Sequence, residues 1–308
     1  DFKEQPYWWE QMPLTTMDDT SLPDNVDIVI VGAGYTGLNA AIQTARGGRK
    51  TLVLDAENAG WGASTRNGGQ VSTSVKPSYD ELKKKHGPEV AYAILNEGCN
   101  SLQWTEEFIR SEGIDCNFKV VGRFHAAHNS SQYVKLGKAV DRRISGLDTE
   151  AYMVPRAEQQ AELGTDGYFG GAVFPKHASL HPARYHRGLL NKAMDAGATI
   201  ISHCPVTDLS REKEGFLVKM PTGILKARQV LIATNGYTGG LTPWHQRRII
   251  PIGSYVIATE ALAPEVMDRL MPKDRTVSDT RKVVYYYRPS PDRSRIIFGG
   301  RVSLGETN

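Results

Sequence analysis

The chain is poor in cysteine: 308 residues hold three, Cys99, Cys116 and Cys204, far apart and odd in number. That argues against a disulfide framework or a paired-cysteine zinc site, and predicts reduced thiols in a cytoplasmic protein. No apolar run approaches the ~20 residues that span a bilayer. Excess positive charge is slight, a net +3. The one basic run, "LKKKH" at 82–86, reads as a solvated helix face, so nucleic acid is not an expected partner. The opening "DFKEQPYWWEQMP" has no signal-peptide pattern, and the absence of a leading Met implies residues upstream. No metal is expected: His177 and His181 are four apart, but their strand-like context before Pro182 argues against a helical metal pair. What is present is an ordinary globular balance, 40% hydrophobic and 23% charged, over a length that suits two domains.

The strongest local signal is "VDIVIVGAGYTGLNAAIQTARGGRKTLVLDAE". Asp27 to Val31 is a short β-branched run of the kind that forms a buried parallel strand. Gly32, Gly34 and Gly37 follow in G-x-G-x-x-G spacing, then the helix-like run Leu38 to Ala45 and a second strand, Thr51 to Leu54, ending in Asp55. Gly32 makes the tight turn, Gly34 lets the backbone approach a pyrophosphate, and Gly37 allows close helix–strand packing. The first-turn residues Tyr35 and Thr36 present N–H groups to the anion. Asp55 stands where a carboxylate accepts hydrogen bonds from a ribose. These parts predict dinucleotide binding and leave NAD(P) and FAD both open.

"GWGASTRNGGQ", Gly60 to Gln70, begins just past that acid, on the cofactor side of the sheet. Its glycines clear side chains from the path of an extended ligand. With the preceding acid, this segment resembles the second flavin-contact segment of the glycine/D-amino-acid oxidase (DAO) family. The "YW" leader, "VVGAGYTGL"-type turn and "GWGASxRNGGQ" order is similar to that of its γ-glutamylputrescine oxidoreductase branch. The resemblance covers nearly the whole chain and implies noncovalent FAD. It places Ala56, Trp61, Gly62, Ala63, Ser64, Arg66, Asn67, Gly68, Gly69 and Gln70 on the cofactor, along with Val206 and the loop Ala233, Thr234, Asn235 and Gly236.

The implied fold is α/β (α+β overall), a Rossmann-like FAD-binding domain interleaved with an antiparallel-sheet substrate domain. The expected division is 24–115 and 178–243 for the former, and 116–177 and 244–308 for the latter. A helical stretch from Ser78 to Ile109 breaks at His86-Gly87-Pro88, and "SPDRS" turns a hairpin near the end. By resemblance, family members continue well past the "FGGR" strand, so a fragment of a larger enzyme is expected.

The resemblance also implies the chemistry: hydride removal from the carbon next to nitrogen in an amine or N-substituted amino acid such as γ-glutamylputrescine, iminodiacetate or sarcosine. O2 or a quinone would take the electrons. A flavin-binding subunit without its own turnover is the other reading. Arg66 either meets a substrate carboxylate or the reduced flavin, or pins its loop by bonding backbone carbonyls. Tyr255, Tyr287, Arg288 and Arg301 are the candidates for a carboxylated amine, since arginine grips carboxylates bidentately. Strand alternation sets Tyr285 and Tyr287 together and Tyr286 opposite.

Overall fold

The computed structural model describes residues 3–17, 22–23, 25–73, 75–142, 144, 146–147 and 149–303, with side chains as far as 300. Chain contacts divide it into two units, 1–67 with 182–253 and 303–308, and 68–181 with 254–302.

The first unit is built on a six-stranded sheet. Its order is Asp208–Glu212, Gly215–Met220, Gly223–Ile232, Asn25–Val31, Thr51–Leu54 and Thr199–Ile201. The last four run parallel, while the first three form an antiparallel meander. Val29, Ile30, Leu52, Val53 and Leu54 are fully buried, as strands covered on both faces require. Helix Tyr35–Arg46 turns Leu38, Ala41 and Ile42 inward, and helix Pro182–Asp195 packs against it. Pro182 opens that second helix and Gly197, in the left-handed region, follows its end.

A seven-stranded sheet organises the second unit, in the order Gly253–Ala258, Ile296–Ser303, Tyr286–Pro289, Thr276–Asp279, Arg123–Ala126, Gly171–Phe174 and Tyr152–Val154. The pair 276–279 and 123–126 is parallel; its neighbours on either side are antiparallel. One face is apolar: Phe124, Val173 and Val277 pack with Tyr168, Leu163 and Met267, the last from helix Pro264–Leu270. The helical stretch does break where Gly87 takes φ +85°. Helix Tyr79–His86 begins at a capping box between Ser78 and Glu81, and Pro88 opens Pro88–Ser111. These two helices group with the second unit, whereas the expected division assigned them to the first. They pack on each other, and Gly98 abuts the Thr73 carbonyl.

An ion cluster ties the second unit together. The Glu162 carboxylate, nearly buried, accepts from Lys273 Nζ at 2.6 Å and from Arg275 Nε. Burial alone would raise its pKa, but the hydrogen bonds from Arg275 and Lys273 outweigh that and hold it below the ordinary glutamate value. A carboxyl whose pKa is lowered by folding gives stability that is full above its unfolded pKa, about 4.5, and lost as pH falls through the folded value. Glu162→Gln should therefore destabilise this unit by about 3 kcal/mol at pH 7, by stranding Arg275. Denaturant midpoints of the two proteins should converge as the pH is lowered below 4.5.

Candidate functional site

At the end of strand Asn25–Val31 the chain makes a glycine turn whose sterics are exacting. Gly32 has φ +107°, and a Cβ on it would stand 2.7 Å from the Ala233 carbonyl oxygen. A Cβ on Gly37 would stand 1.9 Å from the Gly32 oxygen. Gly32 N–H donates to the Leu54 carbonyl at 2.8 Å and Ala233 N–H to Val31 at 2.8 Å, so three strand ends converge on this turn. Gly34 caps the helix Tyr35–Arg46 without a side chain over its end. Tyr35 N–H donates to Ser64 Oγ at 3.0 Å. The other first-turn N–H groups, including that of Thr36, have no carbonyl within the helix to meet and favour an anion there.

Asp55 completes this cradle. Its Oδ2 accepts from Ala33 N–H at 2.7 Å and its Oδ1 from Glu57 N–H at 3.0 Å. Burial raises its pKa while those two N–H bonds oppose the rise. Ala56 beside it is exposed, and Val206 packs against the sheet core. The Ala233–Gly236 loop lies on the Gly32 turn, with Asn235 at φ +48° and Thr234 Oγ1 2.7 Å from Thr238 Oγ1. A buried histidine that no sequence motif marks supports the same turn. Burial holds the His186 pKa down at about 4, and its Nε2 donates to the Ala33 carbonyl at 2.7 Å.

The Gly60–Gln70 segment is gripped by the leader. Helix Tyr7–Gln11 buries Trp8, whose Nε1 donates to the Asn67 carbonyl at 2.8 Å. Trp9 Nε1 donates to Thr65 Oγ1 at 2.8 Å, and that hydroxyl donates to the Gly60 carbonyl at 2.7 Å. Asn67 Nδ2 bonds the Ala63 and Ser64 carbonyls, both at 3.1 Å, closing the turn Ala63–Thr65. Among the described residues Arg66 does not pin its loop through a backbone carbonyl. Its guanidinium lies over the Trp9 ring at 4.7 Å and the Trp61 ring at 4.1 Å, with Nε buried and unpartnered. Desolvation lowers its pKa, although it stays a cation at neutral pH. Tyr237 packs on Trp61 and lies against Gly62.

In the second unit, the sheet face opposite the apolar core is polar. Register places Arg123 beside Thr276 and opposite Phe174, and His125 beside Ser278, which stands opposite Tyr286. His125 Nδ1 and Ser278 Oγ are 2.9 Å apart. The Tyr286 ring covers Gly299 and touches Gly68, and its hydroxyl is 3.3 Å from that of Ser254. Tyr287 points the other way, into the apolar side, stacked on Phe298 with its hydroxyl 3.4 Å from that of Tyr168. Alternation puts Tyr255 on the face opposite Ser254. Arg288 is spent on backbone: it donates to the carbonyls of Gly69 at 2.9 Å, Leu180 at 2.8 Å and Pro289 at 3.0 Å. Gln70 Nε2 donates to Val277 O at 3.3 Å. The Arg301 side chain lies outside the described residues. Among the described residues no cluster of three His, Cys, Asp or Glu is set to hold a metal, and no helix is long and apolar enough to cross a membrane.

The cradle around Gly32, with its bare helix end and ribose-side acid, fits a dinucleotide. A family model described as FAD dependent oxidoreductase, DAO, matches residues 27–308. The chain belongs to the DAO family. FAD is accordingly its cofactor, and Gly32, Gly34, Gly37, Asp55 and Ser64 are the residues whose placement suits it. The probable oxidoreductase OrdL of Haemophilus influenzae is 30% identical over 283 residues, 90% of this chain and 65% of that protein. Gamma-glutamylputrescine oxidoreductase of Escherichia coli is 29% identical over 280 residues, 91% of this chain and 65% of that one. The DAO chain described here thus spans about 65% of the length of these relatives. The crystal structure of glycine oxidase from Geobacillus kaustophilus shares the fold, with a TM-score of 0.74 at 17% identity, over 93% of this chain and 74% of that one.

Proposed function

We propose that the protein oxidises a carboxylated amine or N-substituted amino acid, the class that includes γ-glutamylputrescine, with O2 as electron acceptor. The observation that carries this reading is the glycine cradle of the first unit, joined to the leader-braced Gly60–Gln70 segment, which we read as the flavin loop. When bound, FAD supplies the hydride acceptor, and water hydrolyses the resulting imine. The chain's own groups bind and orient. We read 1–67 with 182–253 as the FAD-binding part and 68–181 with 254–302 as the substrate part. In the latter the polar sheet face, with Tyr286, Ser278 and His125, is the substrate surface in preference to Tyr255 and Tyr287, which face away from it. Burial, reinforced by the Arg123 charge, holds His125 neutral with a pKa of about 4. A neutral His125, with Nδ1 2.9 Å from Ser278 Oγ, leaves Nε2 to hydrogen-bond a substrate amine, and a face that already carries Arg123 disfavours the ammonium, which must lose its proton to react.

The test is anaerobic mixing of the flavin-loaded protein with a panel of amines and amino acids, followed by admission of air. Bleaching of the flavin by a carboxylated secondary amine, then recovery with stoichiometric peroxide, is the expected result. No bleaching by any member would overturn the amine reading, and bleaching without peroxide would overturn O2 as acceptor.

A further inference from the structure

The strand Arg123–Ala126 sends Phe124 and Ala126 into the apolar core and Arg123 and His125 to the other side. Other sequestered arginines of this unit have their charge met: Arg275 by Glu162, Arg288 by three carbonyls. Arg123 does not. Among the described residues it has no hydrogen bond and no carboxylate within 4.0 Å; its guanidinium rests on the Phe174 ring at 4.8 Å, with Nε buried and unpartnered. The residue is partly buried, and a partly desolvated cation without a counter-charge favours an anion beside it.

A second orphan donor lies against the same ring. His177 is stacked on Phe174 at 5.2 Å. Its Nε2 receives the Thr73 N–H at 3.4 Å and lies 2.9 Å from Thr73 Oγ1. Nε2 is therefore an acceptor, and the proton of the neutral ring sits on Nδ1. That Nδ1 is buried and has no partner. His177 stays neutral because burial and the Arg123 charge lower its pKa to about 3, and burial lowers that of Arg123 itself to about 10. Two buried donors, one of them cationic, thus share an aromatic neighbour and lack an acceptor, on the sheet face that also carries the His125–Ser278 pair.

We propose that Arg123, assisted by His177, is the anchor for the substrate's carboxylate. The proposal rests on reading this sheet face as the substrate surface. It moves carboxylate recognition from Arg288, which is committed to backbone carbonyls, to a residue two strands away in the sheet. With a carboxylate on Arg123, an amine nitrogen of the same ligand would be left to His125, which follows on the same face.

The experiment compares the flavin-loaded wild type with Arg123→Gln and Arg123→Lys, using sodium acetate as the probe by calorimetry and a carboxylated amine that reduces the flavin. The wild type should bind acetate in competition with the amine. Arg123→Gln should weaken acetate binding and raise KM by about thirtyfold with kcat within a few-fold, and Arg123→Lys should recover part of the loss. Without ligand, Arg123→Gln should melt no lower than the wild type, because a partly desolvated charge without a counter-ion has gone; a purely structural arginine would give a lower melting temperature. Unchanged acetate affinity in Arg123→Gln would overturn the site. Arginine-dependent acetate binding that fails to compete with the amine would overturn the substrate assignment, pointing to a free carboxylate instead. If no amine bleaches the flavin, the oxidase reading fails, while acetate calorimetry and the melting comparison still decide the site.

Discussion

Gly37→Ala is expected to yield a colourless protein. The added methyl would lie 1.9 Å from the Gly32 carbonyl oxygen and 3.3 Å from an Ile30 methyl, and the first of these is backbone that no rotamer change can move. Relief requires the helix Tyr35–Arg46 to lift from strand Asn25–Val31, and its N–H groups to leave the position that an anion would occupy. Overpacking of this kind costs about 1–3 kcal/mol of stability. Misplacing the helix end should cost a further hundredfold or more in FAD affinity, about 2.7 kcal/mol. The ratio of flavin to protein absorbance in the purified sample and a thermal melt read both effects. Gly240→Ala is the control: a Cβ there meets nothing within 4 Å, and its flavin content and melting temperature should match the wild type. A yellow Gly37→Ala protein of normal stability would contradict the geometry.

Arg288→Met should damage the fold of the second unit more than it alters substrate handling. The side chain is 4% exposed and satisfies the carbonyls of Gly69, Leu180 and Pro289. An apolar replacement of similar length removes the Arg288 donor from Leu180 and Pro289 in a place water does not freely reach, while Gly69 keeps the Leu180 N–H at 2.9 Å. At about 1–3 kcal/mol for each stranded group, a total near 4 kcal/mol is expected. Hydrogen exchange or limited proteolysis across 68–181 and 254–302 should report the loss, with residues 25–54 much less affected. Arg288→Lys should recover only part, since an ammonium cannot span three carbonyls with the reach of a guanidinium. A variant with normal exchange protection and a raised KM alone would make Arg288 a substrate residue after all.

The nucleotide cradle was legible because each of its parts answers a local demand. A glycine at 32 or 37 is required by atoms a few residues away, and the strand–turn–helix–strand order is written continuously from 25 to 55. The second unit was legible only in outline. Alternation does put Tyr285 and Tyr287 on one side of their strand and Tyr286 on the other. What alternation cannot tell is which side is covered. That depends on helix Pro264–Leu270 and on strands more than a hundred residues apart, which partly bury Tyr287 and turn Tyr286 toward Gly68. Arg123 and His125 had a faint signal, polar residues alternating with Phe124 and Ala126 in "RFHA". Without its register beside Ser278 and Thr276 the segment was merely a strand. Arg66 shows the same limit: the sequence set it in the cofactor loop, but its two aromatic neighbours are Trp9, 57 positions earlier, and Trp61.

The leader helix has a consequence for how the chain is made and handled. Trp8 and Trp9 leave the ribosome before the groups they hold, at 65 and 67, which follow more than fifty residues later. The first strand, helix and second strand form inside the loop that these contacts close. The brace thus closes the loop around the parallel pair in which Leu54 lies beside Val31. For the same reason Tyr7–Gln11 is a poor place for a bulky insertion. An insertion that disturbs Tyr7–Gln11 would be felt not as a loose end but as a change in the loop around Arg66.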